Sequence, residues 1–378
     1  MIPGQSMPMS ARILWLPLLA VCAPIGTGQS QDMPRAAQGR TITIADQPIC
    51  AECRIELTPI VTLGNKDGEG ILYQQSVIAS DRRGRYYVSS NTDPTIVVFD
   101  GAGRFIRKIG RRGQGPGEFQ ARPFIYFADD TLYAADIGRI TIFAPDYKLV
   151  RTIPLGTSGS SLAFLGDGTF VIAGTTRSGD LIGFPMHLVG RDGKVIRSFG
   201  SNSERQDIGA LKTSLRTVAP SSGGRVWSAD PYSYLIERWN SFGGKELTLR
   251  REAAWFPPNV LERGIPRRER PPPRLRAVQE QADGILLTMV RVPDRDWQPQ
   301  PPSRVTPGGA TYTSDSLLHK LYDSVIEAID PVKRAVLTRR VLPENVLGFV
   351  GPGLLASYSE DGEGSPRYVI SRIRVITK

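Results

Sequence analysis

The chain has 378 residues, 40% of them hydrophobic and 22% charged, a composition typical of a globular protein with one large all-β domain or two smaller ones. Its 39 glycines and 30 prolines favour many turns over long helices. The net charge of +10 indicates an anionic partner or surface, or serves solubility alone, and does not imply nucleic acid. Because His187 and His319 are the only histidines, zinc chemistry of the three-histidine kind is excluded.

The N-terminal residues carry the pattern of an export signal. Arg12 precedes the apolar run Ile13–Ile25, which Pro17 interrupts and small and polar residues follow. Thirteen apolar residues are too few to span a bilayer, so we expect no transmembrane span and interpret residues 1–28 as a signal peptide. The mature protein is then exported, to the periplasm or the extracellular space. A lipoprotein signal that anchors the chain through Cys22 is the alternative.

Residues 29–53 form an N-terminal segment in which two residues separate Cys50 from Cys53. An exported protein lies in an oxidising compartment, where a local disulfide is the default state of such a pair. A redox role would need a βαβ surround, a haem attachment would need histidine where Arg54 stands, and a zinc site would need two further ligands. We therefore predict a structural disulfide.

A strand-turn pattern recurs six times along the rest of the chain. Each unit alternates apolar and polar residues in short runs separated by turns with Gly, Asp and Pro, which is typical of antiparallel hairpins. One four-stranded unit cannot bury both of its faces, so the repetition predicts radial stacking into an all-β, six-bladed β-propeller. The propeller is placed at residues 54–378, with blades near 76–110, 121–155, 161–200, 215–250, 275–341 and 345–376.

The sixth unit has only three strands of its own, because the chain ends at Lys378 soon after the third. Residues 54–64 alternate well as a strand and belong to no other unit. This N-terminal strand is predicted to complete the last blade, which closes the ring and covers a sheet edge that would otherwise invite aggregation.

One stretch favours a helix locally. Apolar residues between Leu317 and Ile329 occur at helical spacing. The repeat register returns from Ser324, so the sequence predicts a short helix that ends before Tyr322.

The segment from Gly84 to Phe119, which contains GRYYVSS and then IVVFDGAGRFIRKIGRRGQGPGEF, resembles the six-bladed β-propellers of secreted bacterial proteins related to NHL repeats. The resemblance covers about residues 54–378. It implies a fold and only loosely a function, because propellers of this kind serve as binding platforms, as scaffolds and, in a minority, as enzymes.

The connections between strands differ in length on the two faces of such a propeller. If the strands of a blade run from first to fourth outward from the axis, the loops after the second and fourth strands leave one face. The long connections 200–215, 250–274 and 293–323 all belong to that group, so we call this side the long-loop face. Long loops on one side of a rigid scaffold are where binding sites are usually built.

The 250–274 loop is basic and rich in proline. Arginine forks suit carboxylate, phosphate or sulfate, so an anionic polysaccharide, a lipid headgroup or an acidic protein is a fitting ligand, although solvation of a long loop explains the charge as well. The tryptophans of this region would stack on a sugar ring or cap the propeller rim. The predicted ligand-binding residues are Arg111, Arg112, Trp255, Arg267, Arg268, Arg270 and Trp297.

The second strands end in polar residues that a closed ring would direct toward the mouth of its channel. These residues are Ser90 with Asn91, Asp136, Thr175, Asp230, Arg291 and Ser359. Oxygen ligands would suit Ca²⁺ there, and Asp136 and Asp230 are the candidate metal ligands. A water-filled mouth lined by polar residues needs no ion, and no other cofactor is expected.

The residues give little support to catalysis. The chain has no G-x-S-x-G elbow and no S-x-x-K pair, so a hydrolytic nucleophile lacks a motif. The sequence favours an exported, non-enzymatic propeller that binds an anionic envelope component or a protein partner through its long-loop face. The alternative is a calcium-dependent, lactonase-like hydrolase at the channel mouth, for whose calcium site Asp230 and Asn91 would be the counterparts.

Overall fold

The computed structural model describes residues 39–64, 68–74, 76–90, 92–176, 183–200, 216–257, 269–299 and 315–377. The predicted signal peptide, Cys22, Asn91, Arg267 and Arg268 lie outside these residues. The described residues belong to one compact unit, Ala36–Lys378. Among them, no helix has the length and apolar character needed to cross a membrane.

The strands of the first three blades follow one another along the chain. Two strands come before them, β1 (Arg40–Ile44) and β2 (Arg54–Leu63). Blade one contains β3 (Val77–Ser80), β4 (Tyr86–Ser89), β5 (Ile96–Phe99) and β6 (Phe105–Ile109). Blade two contains β7 (Phe124–Ala128), β8 (Thr131–Asp136), β9 (Arg139–Phe143) and β10 (Leu149–Pro154). Blade three contains β11 (Thr157–Phe164), β12 (Phe170–Thr176), β13 (Met186–Val189) and β14 (Val195–Phe199).

The remaining blades carry the longest connections. Blade four contains β15 (Thr217–Ser221), β16 (Arg225–Asp230), β17 (Leu235–Trp239) and β18 (Lys245–Arg251). Blade five contains β19 (Arg274–Glu280), β20 (Leu286–Pro293), the helix α1 (Asp315–Leu321), β21 (Tyr322–Asp330) and β22 (Ala335–Leu342). Blade six contains β23 (Val346–Gly351), β24 (Leu354–Glu360) and β25 (Pro366–Ile376). The predicted short helix before Tyr322 is confirmed.

An aspartate shapes each tight turn of blade one. Gly84 has a φ of 73°, and its N–H donates to the Asp81 carbonyl at 3.2 Å. The Asp81 carboxylate accepts from the Arg85 N–H at 2.9 Å and from the Arg85 Nε at 2.6 Å. Asp100 and Arg104 repeat this arrangement at 2.9 and 2.7 Å. The sequence Asp-x-x-Gly-Arg therefore fixes both turns through side-chain bonds to the backbone.

The six blades close into a ring. The first strand of each blade contacts the first strand of the next, from β3 through β7, β11, β15 and β19 to β23, which contacts β3 again. β2 pairs antiparallel with β25, from Arg54 opposite Ile376 to Leu63 opposite Tyr368. The all-β, six-bladed fold and the closure of its last blade by an N-terminal strand are thus confirmed.

The apolar core lies between neighbouring blades. Tyr87 packs with Ile125 and Leu132 of blade two, whereas the next residue, Val88, packs with Tyr368 of blade six. Successive residues of a strand face opposite sides of its sheet, so a blade buries both faces only when it has a neighbour on each side. This explains why strands such as β5 are buried along their whole length.

The segment Gly39–Cys53, here called the N-terminal belt, joins the outer edges of three blades. Its strand β1 pairs in parallel with β18 as a fifth strand of blade four, a pairing that the sequence analysis did not predict. The Ile49 N–H then donates to the Val336 carbonyl of blade five at 2.9 Å. Cys50 and Cys53 form a disulfide, with their Cα atoms 5.3 Å apart, immediately before β2 enters blade six.

Candidate functional site

The second strand of each blade ends on the long-loop face, beside the start of the innermost strand. In blade two this position is Asp136, whose side chain is fully buried. Its carboxylate accepts from the N–H groups of Gln120 at 2.7 Å and Ala121 at 3.2 Å and pairs with Arg139 at 3.3 Å. Asp136 therefore holds the connection between blades one and two.

Blade four carries an ion pair at the same position. Arg216 comes directly before Thr217, which pairs with Ala229, so Arg216 lies opposite Asp230. The Arg216 Nη1 and Asp230 Oδ2 atoms are 3.4 Å apart, and both side chains are buried. The Asp230 carboxylate also accepts from the Tyr232 N–H at 2.9 Å. Charge is thus balanced across the first two strands of this blade.

Blade five breaks this pattern. Arg291 lies two residues before the end of its second strand, and the residue paired with it on the first strand is Arg274. Residues paired in this way lie on one face of a sheet with Cβ atoms about 5 Å apart, and like charges placed so are destabilising. The Arg274 Nε and Nη2 atoms are buried and have no hydrogen-bond partner among the residues that the structure describes. Two cations therefore face each other across the first two strands of blade five, whereas an ion pair joins the first two strands of blade four.

Three further side chains surround Arg274. Arg276 is solvent-exposed on the innermost strand, where desolvation by the surrounding protein and the Arg274 charge lower the pKa of its guanidinium. The Arg274 guanidinium lies over the Tyr232 ring, 5.4 Å from its centroid. Burial raises the pKa of the Tyr322 hydroxyl, and the three arginine charges oppose that rise. We call Arg274, Arg276, Arg291, Tyr232 and Tyr322 the arginine cluster.

The acidic side chains beside the arginine cluster already have cationic partners. Asp230 pairs with Arg216, and the buried Asp323 pairs with Arg295 at 3.2 Å. Within the described part of the chain, neither Arg274 nor Arg276 forms an ion pair with a carboxylate. The arginine cluster therefore presents positive charge that these neighbours do not neutralise.

The two predicted metal ligands do not lie together. Asp136 belongs to blade two and accepts from the Gln120 N–H. Asp230 belongs to blade four and accepts from the Tyr232 N–H. Across the described ranges, no three His, Cys, Asp or Glu side chains come close enough together to hold a metal ion. Calcium binding through these aspartates stays a prediction.

Two of the predicted ligand-binding residues meet next to the arginine cluster. The Arg270 Nη2 donates to the Asp294 carbonyl at 2.9 Å, and the Trp297 backbone N–H donates to the same oxygen at 3.2 Å. The Trp297 Nε1 is buried without a hydrogen-bond partner among the described residues. Asp294 follows β20 directly, so Arg270 and Trp297 lie at the same end of blade five as Arg291.

Trp255 lies at the outer rim instead. Its Nε1 donates to Asp46 Oδ1 of the N-terminal belt at 3.1 Å, and the Arg339 guanidinium lies 5.0 Å from the centroid of its ring. The ring also packs edge-on against Phe256, with the centroids 6.1 Å apart. These contacts make Trp255 part of the junction between blade four, blade five and the belt.

Arg111 and Arg112 lie in the connection between blades one and two. Arg111 pairs with Glu118 at 2.6 Å, and Arg112 donates to the Thr92 carbonyl at 3.4 Å. That connection is three blades around the ring from the connection between blades four and five. The structure thus separates these two arginines from Arg270 and Trp297.

The sequence places Arg274 at the end of the basic 250–274 loop and Arg291 among the polar residues of the channel mouth. It does not predict that these two residues pair. Their pairing depends on the register of β19 and β20, which shifts between Leu275 and Ala277. One signal was present, because Arg291 is a cation near the end of a second strand, whereas the second strands of blades two and four end in aspartate.

Comparisons with known proteins support the fold. Residues 70–153 match a family model described as a six-bladed β-propeller. No curated protein matches the chain. A candidate exported protein from Bacteroides fragilis has 12% sequence identity and a TM-score of 0.57, over 89% of this chain and 100% of its own.

Two enzymes of known structure are more distant. Virginiamycin B lyase from Staphylococcus aureus has 11% identity and a TM-score of 0.44, over 85% of this chain and 99% of its own. Aldose sugar dehydrogenase from Streptomyces coelicolor has 12% identity and a TM-score of 0.43, over 85% and 99%. The family model and the Bacteroides fragilis structure support a six-bladed β-propeller fold for this chain.

Proposed function

We propose that this protein is an exported, non-enzymatic β-propeller that binds an anionic ligand through the arginine cluster on its long-loop face. The observation that carries the proposal is the pairing of Arg274 with Arg291 across the first two strands of blade five. An envelope component or a protein partner that carries a carboxylate, phosphate or sulfate group would supply the ligand.

The ligand-free protein has an energetic cost at Arg274. Two buried donors of Arg274 lack partners in the described part of the chain, and each such donor costs about 1–3 kcal/mol relative to a satisfied one. The facing charge of Arg291 adds to this cost. Proteins retain local arrangements of this kind mostly at functional sites, where a ligand relieves them. An oxyanion bound at Arg274 would satisfy its donors and neutralise the charge.

The aromatic side chains suit the same ligand. Tyr232 lies under the Arg274 guanidinium and limits the directions in which it can turn. Tyr322 is buried at the start of β21, so its position is set by the sheet. A guanidinium held in place loses less entropy on binding than a flexible surface arginine.

The proposal is tested by calorimetric titration at low ionic strength, where charge attraction is least screened. Inorganic phosphate, sulfate and glucuronate are the probes. We expect at least one of them to bind, and we expect Arg274→Gln to weaken it by about tenfold or more, the equivalent of about 1.4 kcal/mol. Arg197→Gln, an exposed position on β14 with the same change of charge, is the control and should bind as the wild type does. Unchanged affinity in Arg274→Gln, or no binding of any probe, contradicts the proposal.

A further inference from the structure

We infer that the ligand of the arginine cluster carries a phosphate monoester. The inference rests on the proposed function, because it names the chemical class of the anion bound at that site. It follows from three properties of the cluster, namely the charge of Arg274 and Arg276, the buried donors of Arg274 that lack partners among the described residues, and the exposure of Arg276 on the innermost strand.

The combined charge of Arg274 and Arg276 matches a dianion. Arg274 and Arg276 are two cations without an ion-pair partner among the described residues, and Asp230 and Asp323 are already paired with other arginines. A phosphate monoester carries a charge of about −1.5 to −2 at neutral pH, whereas a carboxylate, a sulfate ester or a phosphodiester carries only one negative charge. A singly charged ligand would compensate only one of the two cations.

The free donors of Arg274 define the shape of the ligand. Nε and Nη2 lie on one edge of the guanidinium, and both are buried without partners in the described part of the chain. This edge can donate two parallel hydrogen bonds to two oxygen atoms of one oxyanion. A carboxylate has no further oxygen to offer, whereas a phosphate monoester has a third, which Arg276 on the same strand could contact. The cluster therefore has more donors than a carboxylate can use.

The ligand enters from the propeller axis. Arg274 and Arg291 are partly buried and Tyr322 is buried, whereas Arg276 is exposed on the innermost strand. The phosphate group would therefore be the deeper part of the ligand, and its ester substituent would extend toward the channel. The site thus recognises the charged group and leaves the substituent in solvent.

Calorimetric titration with three probes tests the inference. Glucose 6-phosphate is a phosphate monoester, glucuronate is a sugar carboxylate, and dimethyl phosphate keeps the tetrahedral group with a single charge. We expect wild-type protein to bind glucose 6-phosphate about tenfold or more tightly than either monoanion, with a similar loss in Arg274→Gln and in the exposed Arg276→Gln. Lowering the pH from 7.5 to 5.0 should weaken binding of glucose 6-phosphate and not of dimethyl phosphate, because only the monoester has a pKa near 6.

The outcomes separate this inference from the proposed function. If glucuronate or dimethyl phosphate binds as tightly as glucose 6-phosphate, and Arg274→Gln still weakens that binding, the monoester is wrong and the anion site stands. If no probe depends on Arg274 or Arg276, both are wrong. Circular dichroism of both variants checks that the loss does not come from unfolding, and the exposed Arg276 is the position whose replacement the fold should tolerate best.

Discussion

Arg251 and Glu327 form an ion pair of 2.8 Å between blades four and five, with only 1% and 0% of their side chains exposed. Glu327 also accepts from the Tyr234 hydroxyl at 2.5 Å and from the Arg339 Nε at 2.8 Å. Arg251 reaches the N-terminal belt as well, through Asp46 Oδ1 at 3.0 Å. One buried carboxylate therefore joins two blades, and its two arginines join both blades to the belt.

Loss of the Glu327 charge should destabilise the fold. Glu327→Gln leaves the buried Arg251 and the partly buried Arg339 without their shared carboxylate, and breaking a buried pair in this way costs about 3 kcal/mol or more. Urea unfolding at pH 7 measures the change. Glu56→Gln, which removes the exposed pair of Arg54 and Glu56, is the control and should stay within about 0.5 kcal/mol of the wild type. A similar small effect in both variants would show that the buried network contributes little.

The same substitution at equivalent positions of two blades should have opposite effects on stability. Arg274→Gln removes a cation that faces Arg291, so it should raise the free energy of unfolding of the ligand-free protein by about 0.5–1 kcal/mol at low salt. Arg216→Gln leaves the buried Asp230 without its cation and should lower the free energy of unfolding by about 1–3 kcal/mol. Thermal and urea unfolding of both variants check the signs. Destabilisation by Arg274→Gln as large as that by Arg216→Gln would mean that Arg274 has a structural partner.

Protonation of His187 should weaken the fold in acid. His187 is fully buried in β13, its Nδ1 is 2.7 Å from Ser198 Oγ, and burial lowers its pKa below the usual 6.5. Below about pH 6.5 the unfolded chain therefore binds a proton that the native protein does not. The free energy of unfolding then decreases as the pH is lowered, until the lowered pKa of the native state is reached. Urea unfolding at pH 7.5 and 5.5 should show a smaller loss for His187→Gln than for the wild type. Equal losses would assign the acid sensitivity to other groups.

Calcium distinguishes the proposed function from its alternative. A lactonase-like hydrolase with ligands at Asp136 and Asp230 would gain thermal stability from Ca²⁺, since an ion that binds only the native state stabilises it. Both carboxylates already accept from protein donors, so we expect the unfolding temperature to be the same with millimolar Ca²⁺ and with a chelator. A calcium-dependent rise that Asp136→Asn or Asp230→Asn abolishes would favour the hydrolase.

The fold could be predicted because the residues that determine each hairpin lie within that hairpin. Each hairpin carries its own turn residues, as Asp81 and Gly84 show, and the unused alternating strand at residues 54–64 required a partner in the last blade. The N-terminal belt could not be predicted in this way. Parallel pairing of β1 with β18 joins segments about 200 residues apart without a turn between them, and the five residues RTITI do not specify which sheet edge they cover.

The candidate site could be predicted only in part. The composition of the 250–274 loop predicted a basic ligand-binding surface, and two of the predicted residues, Arg270 and Trp297, donate to the same carbonyl oxygen of Asp294. The central pair did not follow, because a one-residue shift in register decides whether Arg274 faces Arg291 or its neighbour. The roles of Trp255 and Asp46 could not be predicted from the sequence either, since they depend on a contact between the N-terminal belt and the junction of blades four and five.

The most direct measurement is a crystal structure of the protein soaked in tungstate, a tetrahedral dianion whose position anomalous scattering reveals. We expect an anomalous peak within hydrogen-bond distance of Arg274 Nε and Nη2 in the wild type, and no such peak in Arg274→Gln crystals grown and soaked identically. An empty arginine cluster, with tungstate bound only at exposed positions such as Arg197, would contradict the claim that this cluster is an anion-binding site.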